Sequence, residues 1–303
     1  MKIAILGATS QIAKDLIQSF SDEHELYLFS RKVGDVNLWM LENYLTRFTS
    51  QAYSEFKNLR DIDVILNFVG AGSPEKVISL GEQIFEITET YDKLALDYIS
   101  KNRDCKYIFI SSGAVFGDNF STPADIDKQS VFPINNLQPK HYYGYAKAMA
   151  EIRHRITDRN IFDLRVFNYI SANINITYRF MITDMIRAIK DKTPYKVDRT
   201  HIVRDYVGPL DFYQMINILM SADKFNTAVD IYSRQPITKD SLLTAMATRY
   251  GLEYVTIGTQ VGLPATGVKE NYFTTNTGAY VLGYRPTLSS LENIYLAVDK
   301  ILK

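Results

Sequence analysis

Two short segments carry the residue types and spacing of proton transfer to oxygen. One reads Ser111-Ser112-Gly113-Ala114-Val115-Phe116-Gly117, the other Tyr143-Gly144-Tyr145-Ala146-Lys147. Tyr143 and Lys147 are four residues apart, which on a helix sets both side chains on one face. Free tyrosine has a pKa of about 10, so roughly one in a thousand is ionised at pH 7. A cation held close favours the phenolate and lowers that value. A tyrosine so tuned gives a proton to a substrate oxygen or takes one from it. Ser112, at the end of a strand, can hold the same oxygen. Together they suit hydride transfer to or from a carbonyl carbon. With 21 tyrosines in the chain such a pair also arises by chance, so context has to decide. Tyr142 has Ala146 four residues on and Tyr145 has Met149, so only Tyr143 has a lysine there. His141 is a less favoured acid–base candidate.

The elements that position this chemistry begin at the N-terminus. Lys2-Ile3-Ala4-Ile5-Leu6 reads as a buried parallel strand. Gly7-Ala8-Thr9-Ser10-Gln11-Ile12-Ala13 follows, and Ile12, Leu16, Ile17 and Phe20 recur at helical spacing. Strand, small-residue turn and helix make a dinucleotide site, with the pyrophosphate at the positive helix N-terminus. Gly7, Thr9, Ser10, Gln11 and Ile12 are the expected contacts, although Ser10 and Ala13 replace the glycines of a glycine-rich turn. The second strand, Leu26-Tyr27-Leu28-Phe29, ends in Ser30-Arg31-Lys32. An NAD-preferring site puts an acidic residue there for the ribose hydroxyls. A hydroxyl and two cations suit a 2′-phosphate, so Ser30 and Arg31 point to NADP(H) over NAD(H).

A later strand, Val64 to Val69, runs into Gly70-Ala71-Gly72. Gly70 lets a cofactor approach the backbone closely. Tyr107-Ile108-Phe109-Ile110 then delivers Ser111 and Ser112. Strands alternating with helical stretches predict an α/β fold, a doubly wound parallel sheet of Rossmann type. Gly7, Gly70 and Ser112 all follow strands and so share the carboxyl edge, where such sheets bind ligands.

These motifs together resemble the extended short-chain dehydrogenase/reductases that act on nucleotide-sugars. The N-terminal turn looks like their Gly-x-x-Gly-x-x-Gly. Ser111 to Gly117 looks like Ser-Ser-x-x-Val-Tyr-Gly, with Phe116 for tyrosine, and makes Ser112 the catalytic hydroxyl. Tyr143 to Lys147 matches Tyr-x-x-x-Lys, and Glu151 follows at the usual distance. The resemblance implies that Lys147 also binds the nicotinamide ribose. Leu164-Arg165-Val166-Phe167-Asn168 resembles the strand whose asparagine lies by the sugar nucleotide. Val203-Arg204-Asp205-Tyr206-Val207 resembles the segment whose arginine holds the diphosphate. Leu282-Gly283-Tyr284-Arg285-Pro286 resembles a late Leu-Gly-aromatic-x-Pro. Two departures stand out. Glu86-Ile87-Thr88-Glu89-Thr90 replaces Asn-Val-x-Gly-Thr. Gly113-Ala114 replaces the Asp-Glu pair with which the sugar 4,6-dehydratases eliminate water, which speaks against that reaction. The resemblance also implies a homodimer through the tyrosine helix and the helix before the serine strand.

The 303 residues allow about two domains. Residues 1–168 are expected to form the dinucleotide domain, with a segment near 204–222 returning to it. Residues 169–303 are expected to form mainly a smaller α/β nucleotide-sugar domain, with helices at 174–192, 210–220 and 240–249 and a loop at 264–267. The charges balance at 34 basic and 34 acidic residues, which gives no sign of nucleic acid or a membrane surface. No apolar run approaches the ~20 residues of a membrane span, and the chain opens directly into a strand. Cys105 is the sole cysteine and reads as a packing residue. The chain therefore reads as cytoplasmic, without a disulfide. The four histidines lack metal-ligand spacing.

Three functions follow. The first is NADPH-dependent reduction of a nucleotide-activated 4-keto sugar, favoured by the cationic end of the second strand. The second is a nucleotide-sugar 4-epimerase with retained NAD. The third is a non-catalytic dinucleotide-binding protein, disfavoured because both Tyr143 and Lys147 are present.

Overall fold

A computed structural model describes residues 1–258 and 269–303, so the loop expected at 264–267 lies outside the described residues. In chain order the strands are β1 (Lys2–Leu6), β2 (Glu25–Phe29), β3 (Ser50–Gln51), β4 (Val64–Asn67), β5 (Lys106–Ser112), β6 (Ile161–Val166) and β7 (Asn168–Tyr169). There follow β8 (Tyr195–Val197), β9 (Val203–Arg204), β10 (Tyr206–Val207), β11 (Asn226–Asp230), β12 (Ile237–Thr238), β13 (Tyr254–Thr256) and β14 (Asn271–Tyr272). The helices are α1 (Gln11–Phe20), α2 (Val33–Glu42), α3 (Pro74–Leu80), α4 (Gln83–Lys101) and α5 (Pro139–Arg155), then α6 (Met181–Asp191), α7 (Pro209–Ser221), α8 (Lys239–Tyr250) and α9 (Ser290–Ile301).

Seven strands form one parallel sheet in the order β3-β2-β1-β4-β5-β6-β11. The aliphatic runs suit it because helices cover both faces, so side chains on either face are buried. Leu6 stands level with Phe29 and Asn67, and Ser112 with Val166. The carboxyl edge is therefore even, and the winding reverses between β1 and β4, which opens the ligand crevice of such sheets. This is the doubly wound Rossmann-type fold.

Helix α7 returns to this sheet. Phe212, Met215, Ile216 and Leu219 recur at helical spacing and join the core with Leu16, Ile17 and Phe20 of α1. The return runs on past residue 222 into β11, whose polar start, Asn226-Thr227, hides it as a strand. A second core gathers Ile182, Met185 and Ile186 of α6, Leu242 and Met246 of α8, and Ile294 and Val298 of α9. Each such aliphatic side chain contributes ~1.5–3 kcal/mol on full burial. Helix α6 starts later than the expected residue 174. The Asn175 side chain accepts from the backbone N–H and hydroxyl of Thr177, a local turn that competes with helix.

Helix α5 meets the sheet through polar side chains. His154 is fully buried, with Nδ1 2.6 Å from Asp163 and Nε2 2.7 Å from Asp92. Tyr107 and Arg153 also donate to Asp92, and Arg155 pairs with Asp163. Burial opposes a charged imidazole, but the attraction and hydrogen bonds of Asp163 and Asp92 outweigh it and raise the ring to about 9. The folded value exceeds the ordinary 6.5. The stabilisation is therefore complete below about pH 6.5 and is lost as pH rises through about 9. Removing one partner of a buried pair costs about 3–5 kcal/mol. His154→Gln should lose stability of that order at pH 6 and flatten the decline between about pH 6.5 and 9. Urea unfolding at a series of pH values checks this, and an unchanged decline in the variant would contradict it.

Candidate active site

Strand β5 is buried along its length and ends in Ser111 and Ser112. The chain then turns tightly through residues Gly113–Phe116, and Ser112 Oγ accepts the Ala114 N–H at 3.2 Å. Helix α5 packs onto this turn. A Cβ on Gly144 would fall 2.3 Å from the Ala114 carbonyl oxygen, so only glycine permits the approach. His141 caps the helix: its Nδ1 accepts the Gln138 N–H at 3.0 Å, and its Nε2 lies 3.0 Å from Asp118. Both nitrogens thus have partners at the start of α5.

Lys147, 3 % exposed, donates to the Ile110 carbonyl at 2.7 Å and the Val69 carbonyl at 3.4 Å, with Nζ 4.1 Å from the centre of the Phe109 ring. Burial lowers it to about 8, against the pull of Asp92, Asp163 and Glu151. Burial raises the Tyr143 hydroxyl, and the nearby Ser112 hydroxyl works the other way. Lys147 and Tyr143 lie one turn apart on α5, as their spacing predicts. Helical spacing sets their Cα atoms on one face, but the ammonium reaches under the sheet edge to two backbone carbonyls. Glu151, one turn on, accepts from Ser111 at 2.6 Å and takes two hydrogen bonds from Arg165.

Opposite Ser112 stands Tyr272, which sequence reasoning missed because no motif marks it among so many tyrosines. Its hydroxyl lies 3.1 Å from Ser112 Oγ. Its ring packs edge-on against Phe120 and tilted against Phe167, with centres 4.9 and 5.2 Å apart. In β14 it is level with Arg204 of β9, whose guanidinium sits 5.9 Å from the ring centre and donates to the Val203 and Lys269 carbonyls. Asn168 donates to the Asp205 carbonyl at 3.1 Å and weakly, at 3.4 Å, to that of Tyr272. Lys269, also missed, is buried with Nζ 4.8 Å from the Tyr272 ring centre. Burial, with the charges of Arg204 and Lys140, lowers it to about 8 against the pull of Asp118. Ser112, Asn168 and Arg204 thus gather around Tyr272.

At the other end of the carboxyl edge, Gly7 has φ +83°, and its N–H and that of Ala8 donate to the Phe29 carbonyl. A side chain there would meet Phe68 backbone at 2.9 Å. Ser10 precedes α1 without capping it, and the first turn holds no acidic residue, so the helix presents orphan N–H groups suited to phosphate. Gln11 donates to Ser171 at 2.9 Å, while Thr9 is exposed and Ile12 half-buried. Ser30 is turned inward and accepts the Lys32 N–H. Arg31 and Lys32 are exposed, and Lys32 pairs with Asp35. Lys76 of α3 is a third cation here, lowered by burial and then by the charges of Arg31 and Lys32. Gly70 adjoins Lys147, where a Cβ would lie 3.5 Å from Nζ. An uncapped helix start, an acid-free strand end and a lysine at the edge fit a dinucleotide. Among the described residues no group of three or more His, Cys, Asp or Glu is placed to hold a metal, and no helix is long and apolar enough to cross a membrane.

The sequence matches the NAD dependent epimerase/dehydratase family over residues 3–233. No curated protein matches. Among solved structures the fold is similar to a UDP-glucose 4-epimerase from Thermotoga maritima, with TM-score 0.79, 17% identity, and 100% of this chain and 99% of that one covered. It is similar to a UDP-N-acetylglucosamine 4-epimerase from Methanobrevibacter ruminantium M1, with TM-score 0.80, 16% identity, and 99% and 98% coverage. It is also similar to a dTDP-glucose 4,6-dehydratase from Bacillus anthracis in complex with NAD, with TM-score 0.77, 14% identity, and 99% and 96% coverage. The chain belongs to the NAD dependent epimerase/dehydratase family and is an enzyme of that class.

Gly144→Ala tests the close packing. Overpacking costs about 1–3 kcal/mol, and here the methyl pushes α5 off the Ser112 turn. The variant should unfold at lower temperature by calorimetry and lose catalysis more than tenfold while binding dinucleotide nearly as well. Full activity would show that the approach of α5 to Ala114 is not needed.

Proposed function

We propose that the chain interconverts hydroxyl and keto forms at C4 of a nucleotide-linked sugar, as a 4-epimerase. The observation that carries this reading is the Ser112 hydroxyl at the end of β5, set against Tyr272 beside Arg204, with Lys147 of the Tyr143 helix buried under the same strand end. A bound nicotinamide dinucleotide would supply the hydride acceptor and donor. Residues 7–12, Arg31, Gly70 and Lys147 would hold it, Lys147 at the nicotinamide ribose. Tyr143 removes the proton from the sugar hydroxyl and returns it. Ser112 hydrogen-bonds the same oxygen and favours its carbonyl form. Asn168 and Arg204 hold the nucleotide-sugar, Arg204 as the cation for its diphosphate. Residues 1–168, with the returning segment, form the dinucleotide side and the remainder mainly the sugar side. Gly113 and Ala114 offer no acid–base pair for dehydration. The two UDP-sugar 4-epimerases of like fold support epimerisation. The exposed Met149 and Ile152 of α5 suit a homodimer, and we place the enzyme in the cytoplasm.

One observation favours a second reading, net reduction of a 4-keto sugar by NADPH. Arg31, Lys32 and Lys76 converge at the end of β2, and no carboxylate stands at positions 30–32. That end suits NADP(H) over NAD(H).

Tyr143→Phe keeps the ring and removes the acidic hydroxyl. General acid–base catalysis contributes about 10²–10⁴-fold, so turnover of UDP-glucose or UDP-N-acetylglucosamine should fall by that much with dinucleotide binding intact. Tyr142→Phe and Tyr145→Phe are controls, since these rings pack on Phe85 and Phe132. Activity in Tyr143→Phe equal to wild type would end the reading. Arg31→Asp should weaken NADPH about tenfold to a hundredfold, as for a charged hydrogen bond of ~1.5–3 kcal/mol, with little effect on NADH. Titration of both cofactors decides, and equal loss for the two would remove the NADP(H) preference.

A further inference from the structure

Resting on the reading of the cleft as the seat of a nucleotide-linked sugar, we infer that Lys269 selects a sugar that carries a carboxylate. A buried ammonium needs oxygen partners, a negative one above all, to replace its lost hydration. Four lysines are buried among the described residues. Three have such partners: Lys106 donates to the Met220 and Ala222 carbonyls, Lys147 to that of Ile110, and Lys239 to Asp198 at 2.9 Å. Lys269, 7 % exposed, has for its ammonium only the faces of two rings among the described residues. Its Nζ lies 4.8 Å from the centre of Tyr272 and 5.3 Å from that of Phe120. An aromatic face attracts a cation but carries no net charge.

The counter-charge does not come from the protein. Asp118 is the acid that acts on Lys269 most strongly, but it stands 3.0 Å from both Lys140 and His141. Residues 259–268, which lead into Lys269, contain no aspartate or glutamate. A ligand is left to supply the charge, and at about 8 Lys269 still holds its proton at neutral pH. Position separates this cation from Arg204, which is tied to the Val203, Lys269 and Glu270 carbonyls beside β9. Lys269 stands with Phe120, which follows the Ser112 turn, and near Lys140, three residues before Tyr143. The ring between Lys269 and Ser112 is that of Tyr272, whose hydroxyl lies 3.1 Å from Ser112 Oγ. The ammonium is thus one phenol ring removed from the hydroxyl that holds the reacting oxygen. In a uronic acid the carboxylate is C6, joined through C5 to the reacting C4. An acid there brings its charge beside the reacting carbon, while Arg204 meets the diphosphate. A neutral sugar leaves Lys269 buried and unpaired, so the site discriminates against it.

Lys269→Met keeps the stem and removes the charge. With dinucleotide bound, calorimetry compares UDP-glucuronic acid, UDP-glucose and UDP. The wild type should bind the acidic sugar about tenfold to a hundredfold more tightly than the neutral one, as for a charged hydrogen bond. Lys269→Met should lose that preference and bind UDP nearly as wild type does. No preference in the wild type would overturn the inference. So would a loss shared equally by UDP, since the ammonium would then serve the diphosphate. A second arm needs no ligand. Removing an unpaired buried charge relieves its desolvation cost, so substrate-free Lys269→Met should melt a few degrees above wild type. An unchanged or lower melting temperature would show that the ammonium already has a partner and would equally overturn the inference. The two readings fail separately. Tight binding of UDP-glucuronic acid without inversion at C4 would keep the inference and refute 4-epimerisation. Inversion of UDP-glucose indifferent to Lys269, with no preference for the acid, would keep 4-epimerisation and refute the inference.

Discussion

Helix α5 is held to the sheet by a stripe of polar side chains, and the active site depends on that attachment. Along one face Lys147 meets the Ile110 carbonyl, Glu151 meets Ser111 and Arg165, and His154 meets Asp163 and Asp92. An apolar stripe would hold the helix with similar energy but would tolerate sliding, since hydrophobic contact is non-directional. Hydrogen bonds at 2.6–2.7 Å fix its height and rotation against β5 and β6. Gly144 then brings the helix against the Ser112 turn, and Tyr143 beside Gly144 follows.

This attachment also sets the electrostatics. Lys147 is almost wholly buried with no carboxylate in contact, and burial lowers it to about 8. Asp92, Asp163 and Glu151 lie behind it and oppose that fall. The three carboxylates that keep the helix in place thus also help keep a cation at the edge of the crevice. Around Tyr272 the pattern repeats with Lys269 and Arg204, where Asp118 opposes the fall of Lys269.

Contiguous patterns were legible in the sequence. The strand–turn–helix start, the serine at the end of β5 and the tyrosine–lysine spacing each lie within a few residues, so local rules find them. Five of the seven strands of the sheet, β1, β2, β4, β5 and β6, were legible as aliphatic runs, while β3 is only two residues long. The last, β11, was not legible because it opens with two polar residues. Tyr272, Lys269 and Lys76 were hidden for another reason. Each reaches the site from a different element, and register between β9 and β14, not spacing, brings Tyr272 level with Arg204. The direction of the Lys147 side chain was equally out of reach. Spacing gives a shared face, while the depth of α5 on the sheet decides which acceptors the ammonium meets.

The central claim is that this cleft moves a hydride at a sugar carbon with Tyr143 handling the proton. The most direct measurement uses UDP-glucose and UDP-N-acetylglucosamine carrying deuterium at C4, incubated with enzyme and oxidised dinucleotide and read by mass spectrometry and NMR. The account predicts transient reduced dinucleotide bearing the label, with deuterium returned to C4 of the inverted sugar and both signals lost in Tyr143→Phe. Inversion with C4 deuterium exchanged into water, or label transfer undiminished in Tyr143→Phe, would contradict it.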